Sequence, residues 1–259
     1  MFITAKKPNS ILLKTKQNIN MKTVLITGAN KGIGFETARQ LAQLNYFVYL
    51  GSRDKNKGLD AIKNLNLAGI SNVALIEIDV TDKDSIKQAK QELTNKIKVL
   101  DVLINNAGIA GGQPQNISTI EIENLRKIFD TNFFSAVQVT QQFMNLLKKS
   151  KEPRIVNVSS GLGSLTLHNS VLNPNFGIYD AYSCSKTALN SFTVMLANEL
   201  KDKNFKINSV TPGYTATDLN NFKGTGTVEQ AAKVLVKYAT LGNDGPTGKF
   251  FSDEGEVPW

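Results

Sequence analysis

Short runs rich in valine and isoleucine alternate with helix-like stretches from residue 23 to residue 251. Such runs are typical of parallel strands whose two faces are both covered. Because parallel neighbours are joined by crossovers, the alternation predicts an α/β fold, with one doubly wound parallel sheet of about seven strands and helices on both faces. The expected strands are 23–27, 47–50, 73–78, 102–104, 154–158, 206–210 and 249–251, and the expected helices are 32–44, 55–67, 83–97, 119–149, 180–202 and 228–240.

Residues 1–20 differ from the rest of the chain. They carry four lysines, no acidic residue and no clear strand or helix period. We expect a disordered tail, or a start assigned too early, since Met21 directly precedes the first strand-like run. Residues 21–259 contain no repeat beyond the strand–helix unit and no low-complexity linker, so they are predicted to form a single domain.

The composition argues against several classes of protein. The formal net charge is +8, but the chain beyond residue 20 holds 26 basic against 22 acidic residues and lacks a recognisable nucleic-acid-binding module. One cysteine and one histidine exclude an internal disulfide and argue against a metal site. No apolar run is long enough to span a bilayer. We therefore expect no nucleic-acid partner, no membrane association, no metal and a cytoplasmic location.

A glycine-rich turn joins the first expected strand to the first expected helix. Backbone N–H groups and the helix N-terminus at such a turn bind the diphosphate of a dinucleotide, and glycines let the backbone come close. The spacing is GxxxGxG rather than the more widespread GxGxxG, and a tight turn without a ligand is the alternative interpretation. The residues expected to contact the cofactor here are Gly28, Asn30, Lys31, Gly32, Ile33 and Gly34.

The end of the second expected strand indicates which dinucleotide is bound. NAD sites usually place an acid there, which binds the ribose 2′-hydroxyl. Here Ser52 stands about at that position and Arg53 follows it. A guanidinium can bind a 2′-phosphate bidentately, and Lys31 could add a second positive charge. NADP(H) is therefore the expected cofactor, with NAD(H) as the second choice because Asp54 could reach the ribose.

Tyr182 and Lys186 are four positions apart within an expected helix, so both side chains can face the carboxyl edge of the sheet. A free tyrosine has a pKa near ~10, and a neighbouring ammonium favours its phenolate. Tyr182 could then exchange a proton with a carbonyl or alcohol oxygen as a general acid or base. Ser160 could donate a hydrogen bond to the same oxygen as charge develops there.

Seven motifs in this order resemble those of the short-chain dehydrogenase/reductase family, over about residues 22–251. Carbonyl reductases are the members that the chain resembles most, through the stretches 28–32, 53–54 and 131–134. The motifs are TGxxxGxG at 27–34, Asp79-Val80, the NNAG of 105–108, Asn132, Ser160, the YxxxK of Tyr182 and Lys186, and the PGxxxT of 212–217.

The resemblance implies a Rossmann-type fold and roles for individual residues. Lys186 would hold the nicotinamide ribose, and Asn132 would organise a water that links Lys186 to solvent. The implied catalytic residues are Ser160, Tyr182, Lys186 and Asn132. The implied cofactor contacts beyond the glycine turn are Arg53, Asp79, Val80, Asn106, Ala107, Gly108, Tyr182, Lys186, Pro212, Gly213 and Thr217.

Ser160 and Tyr182 are separated by more residues than is common in the family. The extra segment, 162–178, contains several apolar residues and the loop formers Asn173-Pro174-Asn175. We expect it to arch over the active-site mouth and to shape an apolar substrate pocket together with Tyr214 and Leu219. Because the family often assembles through helices close to this segment, the oligomeric state, monomer or homo-oligomer, stays open.

Two other side chains invite a functional interpretation. Cys184 lies between Tyr182 and Lys186 without a local histidine to activate it, so we expect a buried or half-buried packing residue. His168 is the only histidine, and it is expected either to line the substrate pocket or to have no role.

Together these features predict an NADP(H)-dependent oxidoreductase. It would transfer a hydride between the nicotinamide and a small-molecule carbonyl or alcohol, with Tyr182 as the general acid or base. A same-fold reductase of a C=C or C=N bond is one alternative, and a non-enzymatic NADP(H) sensor is another. The complete set of Tyr182, Lys186 and Ser160 argues against the sensor.

Overall fold

The structure is a computed structural model that describes residues 21–170 and 179–259. The expected tail at 1–20 and the 171–178 portion of the expected insertion lie outside the described residues. Within the described residues, seven parallel strands form one sheet. They are β1 (Thr23–Ile26), β2 (Phe47–Ser52), β3 (Val73–Glu77), β4 (Val102–Asn105), β5 (Arg154–Val158), β6 (Lys206–Val210) and β7 (Lys249–Phe251).

The strand order is β3-β2-β1-β4-β5-β6-β7. The chain builds outward from β1 to β3, returns to the middle of the sheet at β4, and then builds outward in the other direction. The connections on either side of β1 and β4 therefore leave in opposite directions, and a crevice opens at the carboxyl ends of these two strands. Open α/β sheets bind their ligands at such a switch point.

Helices cover both faces of the sheet, as the alternation of strands and helices predicts. Val24 and Ile26 of β1 pack in one core cluster with the helices on one side, while Leu25 between them packs in a second cluster on the other side. The helices are α1 (Gly32–Gln43), α2 (Lys55–Leu67), α3 (Lys83–Lys96), α4 (Ile122–Phe129), α5 (Ser135–Leu147), α6 (Leu165–His168), α7 (Asp180–Glu199) and α8 (Val228–Ala239). α1, α2 and α8 contribute to the first cluster, and α3, α5 and α7 contribute to the second.

The helical stretch expected at about 119–149 is confirmed from Ile122 to Leu147, but it contains a π-helical turn that was not expected. Helix α4 ends at Phe129, a π-helical turn follows at Asp130–Phe134, and α5 begins at Ser135. A π-turn adds a residue to the helical circumference and is frequent at functional sites. Asn132 lies in this turn, and its side chain binds the backbone of a neighbouring loop. This tertiary contact, rather than helical periodicity, accounts for the local structure.

The segment that follows Ser160 is attached to the last residues of the chain. The hydroxyl of Ser164 donates to the carbonyl of Pro258 at 2.6 Å, and the backbone N–H of Thr166 donates to the carbonyl of Trp259 at 2.8 Å. The ring of Trp259 stacks on Phe250 of β7 with centroids 5.8 Å apart. These contacts fix the start of the expected insertion to the edge of the sheet.

The expectations about membrane spans and metal sites concern helix length and clustered side chains. In residues 21–170 and 179–259, no helix combines the length and apolarity needed to cross a bilayer. The same residues contain no group of His, Cys, Asp and Glu side chains that could hold a metal ion.

Candidate active site

A cleft of about 810 Å³ opens at the carboxyl edge of the sheet, above β1 and β4. Loops that follow β1 to β6 contribute to its walls. Every site residue expected from the sequence lines this cleft except Asn132, which is buried beside it. The expected residues on its walls are Gly28, Asn30, Lys31, Gly32, Ile33, Gly34, Arg53, Asp79, Val80, Asn106, Ala107, Gly108, Ser160, Tyr182, Lys186, Pro212, Gly213 and Thr217.

The glycine turn forms a cradle that only small residues permit. Gly28 adopts a left-handed φ of 62°, which favours glycine. A Cβ on Gly34 would lie 2.5 Å from Nδ2 of Asn106 and 2.7 Å from the carbonyl oxygen of Gly28. No side chain caps the first turn of α1, so its backbone N–H groups are available to an anion. These residues fit the diphosphate of a dinucleotide.

Arg53 and Lys31 stand on the wall where a 2′-phosphate is expected. The side chain of Arg53 is 78% exposed, and its Nε lies 3.9 Å from Oδ2 of Asp79. Nζ of Lys31 lies 3.1 Å from Oδ1 of Asp218, and both of these side chains are also exposed. Exposed ion pairs contribute only about 0–1 kcal/mol, so either cation can exchange its carboxylate for a phosphate at little cost.

Asp54, the acid that could have indicated NAD(H), has a structural role. Its Oδ1 accepts a hydrogen bond from the backbone N–H of Lys57 at 3.1 Å and caps the N-terminus of α2. The buried Ser52 donates its hydroxyl to the carbonyl oxygen of Asp54 at 2.7 Å. The carboxylate is thereby held at the start of a helix. Ser52 ends β2, about where NAD sites place the acid that binds the ribose.

Tyr182 and Ser160 meet inside the cleft. Tyr182 lies in the first turn of α7, and Ser160 lies in the loop directly after β5. Burial raises the pKa of Tyr182 to about 12, and a hydrogen bond with Ser160 opposes that increase. The phenol is protonated at neutral pH, so Tyr182 is poised as a proton donor.

Lys186 is buried behind Tyr182. Its Nζ donates to the carbonyl oxygen of Val158 at 2.8 Å and lies 5.5 Å from the centroid of the Tyr182 ring. Burial lowers the pKa of Lys186 from 10.5 to about 8. The ammonium form still predominates at neutral pH, so the cleft contains a positive charge close to the phenol.

Asn132 links the π-turn to the loop after β4. Its Oδ1 accepts from the backbone N–H of Ile109 at 2.8 Å, and its Nδ2 donates to the carbonyl of Ile109 at 2.9 Å and to Oγ of Ser185 at 3.0 Å. A Cβ on Gly108 would lie 3.3 Å from Oδ1 of Asn132 and 3.6 Å from Nζ of Lys186. Asn132 therefore lies directly behind the cleft wall, and its role in organising a water stays a prediction.

Two residues of the site were not singled out from the sequence. The hydroxyl of Thr27 accepts hydrogen bonds from the backbone N–H groups of Asn106 and Ala107 at 3.0 and 3.1 Å, which joins the loops after β1 and β4. The hydroxyl of Ser185 donates to the carbonyl of Tyr182 at 2.6 Å. Both residues lie inside recognised motifs and are buried. A polar residue at such a position within a motif was the signal that could have identified them.

Apolar and aromatic side chains also line the cleft. Leu162, Tyr179, Tyr214 and Leu219 line it, so the described part of the expected insertion reaches the cleft together with the two residues expected to accompany it. Nε2 of His168 lies 2.7 Å from the carbonyl oxygen of Leu162. His168 thus contacts the backbone of a lining residue.

The expectation for Cys184 is wrong. Its side chain is exposed rather than buried. Residues on an α-helix are separated by about 100°, so Cys184, two positions after Tyr182, lies on the opposite side of α7 from the cleft. Cys184 therefore lies between Tyr182 and Lys186 in sequence but points away from both of them in space.

Comparisons of the sequence with known proteins identify related enzymes. A family model described as short chain dehydrogenase matches residues 22–227. A (+)-neomenthol dehydrogenase of Capsicum annuum is 32% identical, and the alignment covers 91% of this chain and 97% of the relative. Salutaridine reductase of Papaver bracteatum is 30% identical, with 92% of this chain and 96% of the relative covered.

Solved structures give the same result. NADPH-bound carbonyl reductase from chicken fatty liver matches with a TM-score of 0.80 at 28% identity, covering 93% of this chain and 100% of that one. Salutaridine reductase from Papaver somniferum matches with a TM-score of 0.78 at 30% identity, covering 90% and 99%. These matches confirm the Rossmann-type fold and the resemblance seen in the motifs: the chain belongs to the short-chain dehydrogenase family.

Proposed function

We propose that this protein is an NADP(H)-dependent oxidoreductase that interconverts a small-molecule carbonyl and its alcohol. The observation that carries the proposal is that Tyr182, Ser160 and the buried ammonium of Lys186 line one cleft together with the glycine cradle. A proton donor, a hydrogen-bond donor and a fixed positive charge converge there, as the reduction of a carbonyl requires.

The residues divide the work of the proton transfer. The nicotinamide, when bound, supplies or accepts the hydride. The protonated phenol of Tyr182 gives its proton to the substrate oxygen during reduction and takes it back during oxidation. The hydroxyl of Ser160 donates to the same oxygen and stabilises the charge that develops on it. The ammonium of Lys186 stabilises the phenolate that remains on Tyr182.

Cofactor choice rests on the charges at the far end of the cleft. Arg53 and Lys31 are exposed cations that can bind a 2′-phosphate, while Asp54 is engaged as a helix cap. The chicken carbonyl reductase structure contains NADPH, and a second match at 28% identity, ElxO, contains NADP. NADP(H) is therefore the cofactor that we propose.

The substrate that we propose is a compact, largely apolar carbonyl or alcohol. Leu162, Tyr179, Tyr214 and Leu219 line the cleft together with Ser160 and Tyr182. The relatives at 30–32% identity are named for neomenthol and salutaridine. A cytoplasmic location, a single catalytic domain over 21–259 and the absence of a nucleic-acid partner stay predictions, as does the oligomeric state.

The test follows NADPH and NADH oxidation by absorbance against a panel of aldehydes, ketones, quinones and diketones, with Tyr182→Phe in parallel. We expect the wild type to consume NADPH with at least one carbonyl. Tyr182→Phe should lose roughly 10²–10⁴-fold in rate, because it removes the proton donor. NADPH binding, measured by nucleotide fluorescence, should persist in the variant. If the wild type and Tyr182→Phe reduce the same carbonyl at equal rates, Tyr182 is not the general acid.

A further inference from the structure

Gln115 is a buried polar side chain that the proposed reaction does not use. It lies in the loop between β4 and α4 and is 1% exposed. Its Nε2 donates to the carbonyl oxygen of Ala110 at 2.7 Å, and its Oε1 accepts from the backbone N–H of Tyr182 at 3.0 Å. Both ends of the amide are therefore satisfied, which fixes its orientation.

Helix α7 lacks a cap of its own. The residue before its first turn is Tyr179, which offers no side-chain hydrogen bond to the helix. The backbone N–H groups of a first turn have no partner within the helix, and an N-cap side chain usually accepts from the third of them. Since α7 begins at Asp180, the third N–H belongs to Tyr182. Gln115 supplies the missing acceptor from 67 positions earlier in the chain.

The other backbone polar group of Tyr182 is held as well. Its carbonyl oxygen accepts from Oγ of Ser185, which in turn accepts from Asn132, and Asn132 binds the backbone of Ile109. The two chains of hydrogen bonds that start from Tyr182 thus end on neighbouring residues of one loop, Ile109 and Ala110. Both of these residues line the cleft.

We infer that Gln115 is a positioning residue for Tyr182, acting as an N-cap supplied by a different element. It sets the first turn of α7 at a fixed distance from the loop after β4, and this distance decides where the phenol stands relative to Ser160. The inference rests on the proposed function, because it concerns the proton donor named there. Catalytic groups must be held close to the productive geometry, and a misplacement of about 1 Å can slow a reaction 10²-fold.

Three variants separate positioning from general stability. Gln115→Met keeps the length of the side chain and removes both hydrogen bonds. Gln115→Glu keeps an acceptor for the N–H of Tyr182, and in its protonated form it also keeps a donor for the carbonyl oxygen of Ala110. Asn124→Leu is the matched control. It removes two side-chain hydrogen bonds to Gly112 in the same loop, at 3.2 and 2.9 Å, that do not involve α7.

The first readout needs no substrate. Hydrogen exchange at the amide of Tyr182 should accelerate in Gln115→Met, because its acceptor is gone, and should stay slow in Gln115→Glu and Asn124→Leu. The second readout uses the carbonyl identified by the panel. We expect kcat to fall on the order of tenfold in Gln115→Met with the dissociation constant of NADPH unchanged, and Gln115→Glu should recover most of kcat.

The outcomes distinguish this inference from the proposed function. Unchanged exchange at Tyr182 in Gln115→Met overturns the inference, and so does an equal loss of kcat in the Met and Glu variants. An equal loss in Asn124→Leu would assign the effect to the loop as a whole and would also overturn it. If Tyr182→Phe itself retains full kcat, the proposed function fails, whatever the Gln115 variants show.

Discussion

Burial shifts the pKa values of Tyr182 and Lys186 in opposite directions. It raises that of Tyr182 to about 12 and lowers that of Lys186 to about 8, because in each case the neutral form is easier to bury. At neutral pH the phenol therefore keeps the proton that reduction needs. The ammonium of Lys186 also persists, although the folded protein holds it at a cost in stability.

The cost at Lys186 can be measured. An unfolded lysine has a pKa of 10.5, against about 8 in the folded chain. Below about pH 8 both states are protonated, so the buried charge destabilises the fold by roughly 3 kcal/mol. Stability increases as the pH rises from about 8 to 10.5, because only the unfolded chain then binds the proton. We expect Lys186→Met to be more stable than the wild type at pH 7 in urea unfolding, and much less active.

The pH dependence provides the control for this prediction. The difference in stability between Lys186→Met and the wild type should shrink as the pH approaches 10.5, where the burial of a charge is no longer required. A variant that is less stable than the wild type at neutral pH would show that the ammonium stabilises the fold, through its hydrogen bond to Val158.

At the scale of an element, the strand–turn–helix from β1 to α1 depends on close contact with the loop after β4. Gly34→Ala would place a methyl group 2.5 Å from Nδ2 of Asn106 and 2.7 Å from the carbonyl of Gly28. Because backbone and a bonded amide must both move, we expect a loss of NADPH affinity of at least about tenfold, measured by fluorescence titration. Gly112→Ala, whose Cβ would meet its neighbours at 3.5 Å or more, should bind NADPH normally.

If Gly34→Ala binds NADPH as tightly as the wild type, the cradle is not the diphosphate site. A loss shared equally by Gly34→Ala and Gly112→Ala would instead point to a general sensitivity of the loops to an added methyl group.

The sequence predicts these elements well where local pattern determines them. The strands β5, β6 and β7 and the helix α2 have the expected bounds, because runs of apolar residues and strong capping signals mark them. The π-turn at Asp130–Phe134 was not predicted, since it depends on the contact between Asn132 and Ile109, two residues 23 positions apart. Tertiary contacts of this kind leave no periodic signal.

The same distinction applies to the candidate site. Residues on the cleft walls were expected because ordered motifs carry them. The supporting residues were not, since Gln115 meets Tyr182 across 67 positions and no pattern near Gln115 indicates that contact. The burial that raises the pKa of Tyr182 was not predicted either, because burial is a property of the folded molecule and sequence spacing shows only that Lys186 can be near.

At the scale of the whole molecule, the cleft joins the two halves of the sheet. The β1–β3 half carries the glycine cradle and Arg53, and the β4–β7 half carries Ser160, Tyr182 and Thr217. A dinucleotide that contacts both halves stabilises the folded state as a unit, because it binds the folded chain and not the unfolded one.

Thermal unfolding tests this coupling and the choice of cofactor together. NADPH at about 100 times its dissociation constant should add about 2.7 kcal/mol to the free energy of unfolding and raise Tm by roughly 5–10 °C. NADH at the same concentration should raise Tm less. In Arg53→Gln the rise in Tm with NADPH should exceed the rise with NADH by less than in the wild type. The variant lacks the exposed guanidinium that favours the extra phosphate.

Lys87→Gln is the matched control for Arg53→Gln, because Lys87 is an exposed cation in an ion pair, 3.1 Å from Asp84, and does not line the cleft. This control variant should show the same difference between the Tm shifts with NADPH and with NADH as the wild type. Equal Tm shifts for both nucleotides in the wild type would contradict the preference for NADP(H).

The attachment of Trp259 to Phe250 and Thr166 has a spectroscopic consequence. Trp259 is the only tryptophan of the chain and is 37% exposed, so its emission arises from one position, where the segment after Ser160 meets the edge of the sheet. The indole is thus an intrinsic reporter. A change in its wavelength or quantum yield when a substrate enters the cleft would follow the movement of that segment in real time, without any added label.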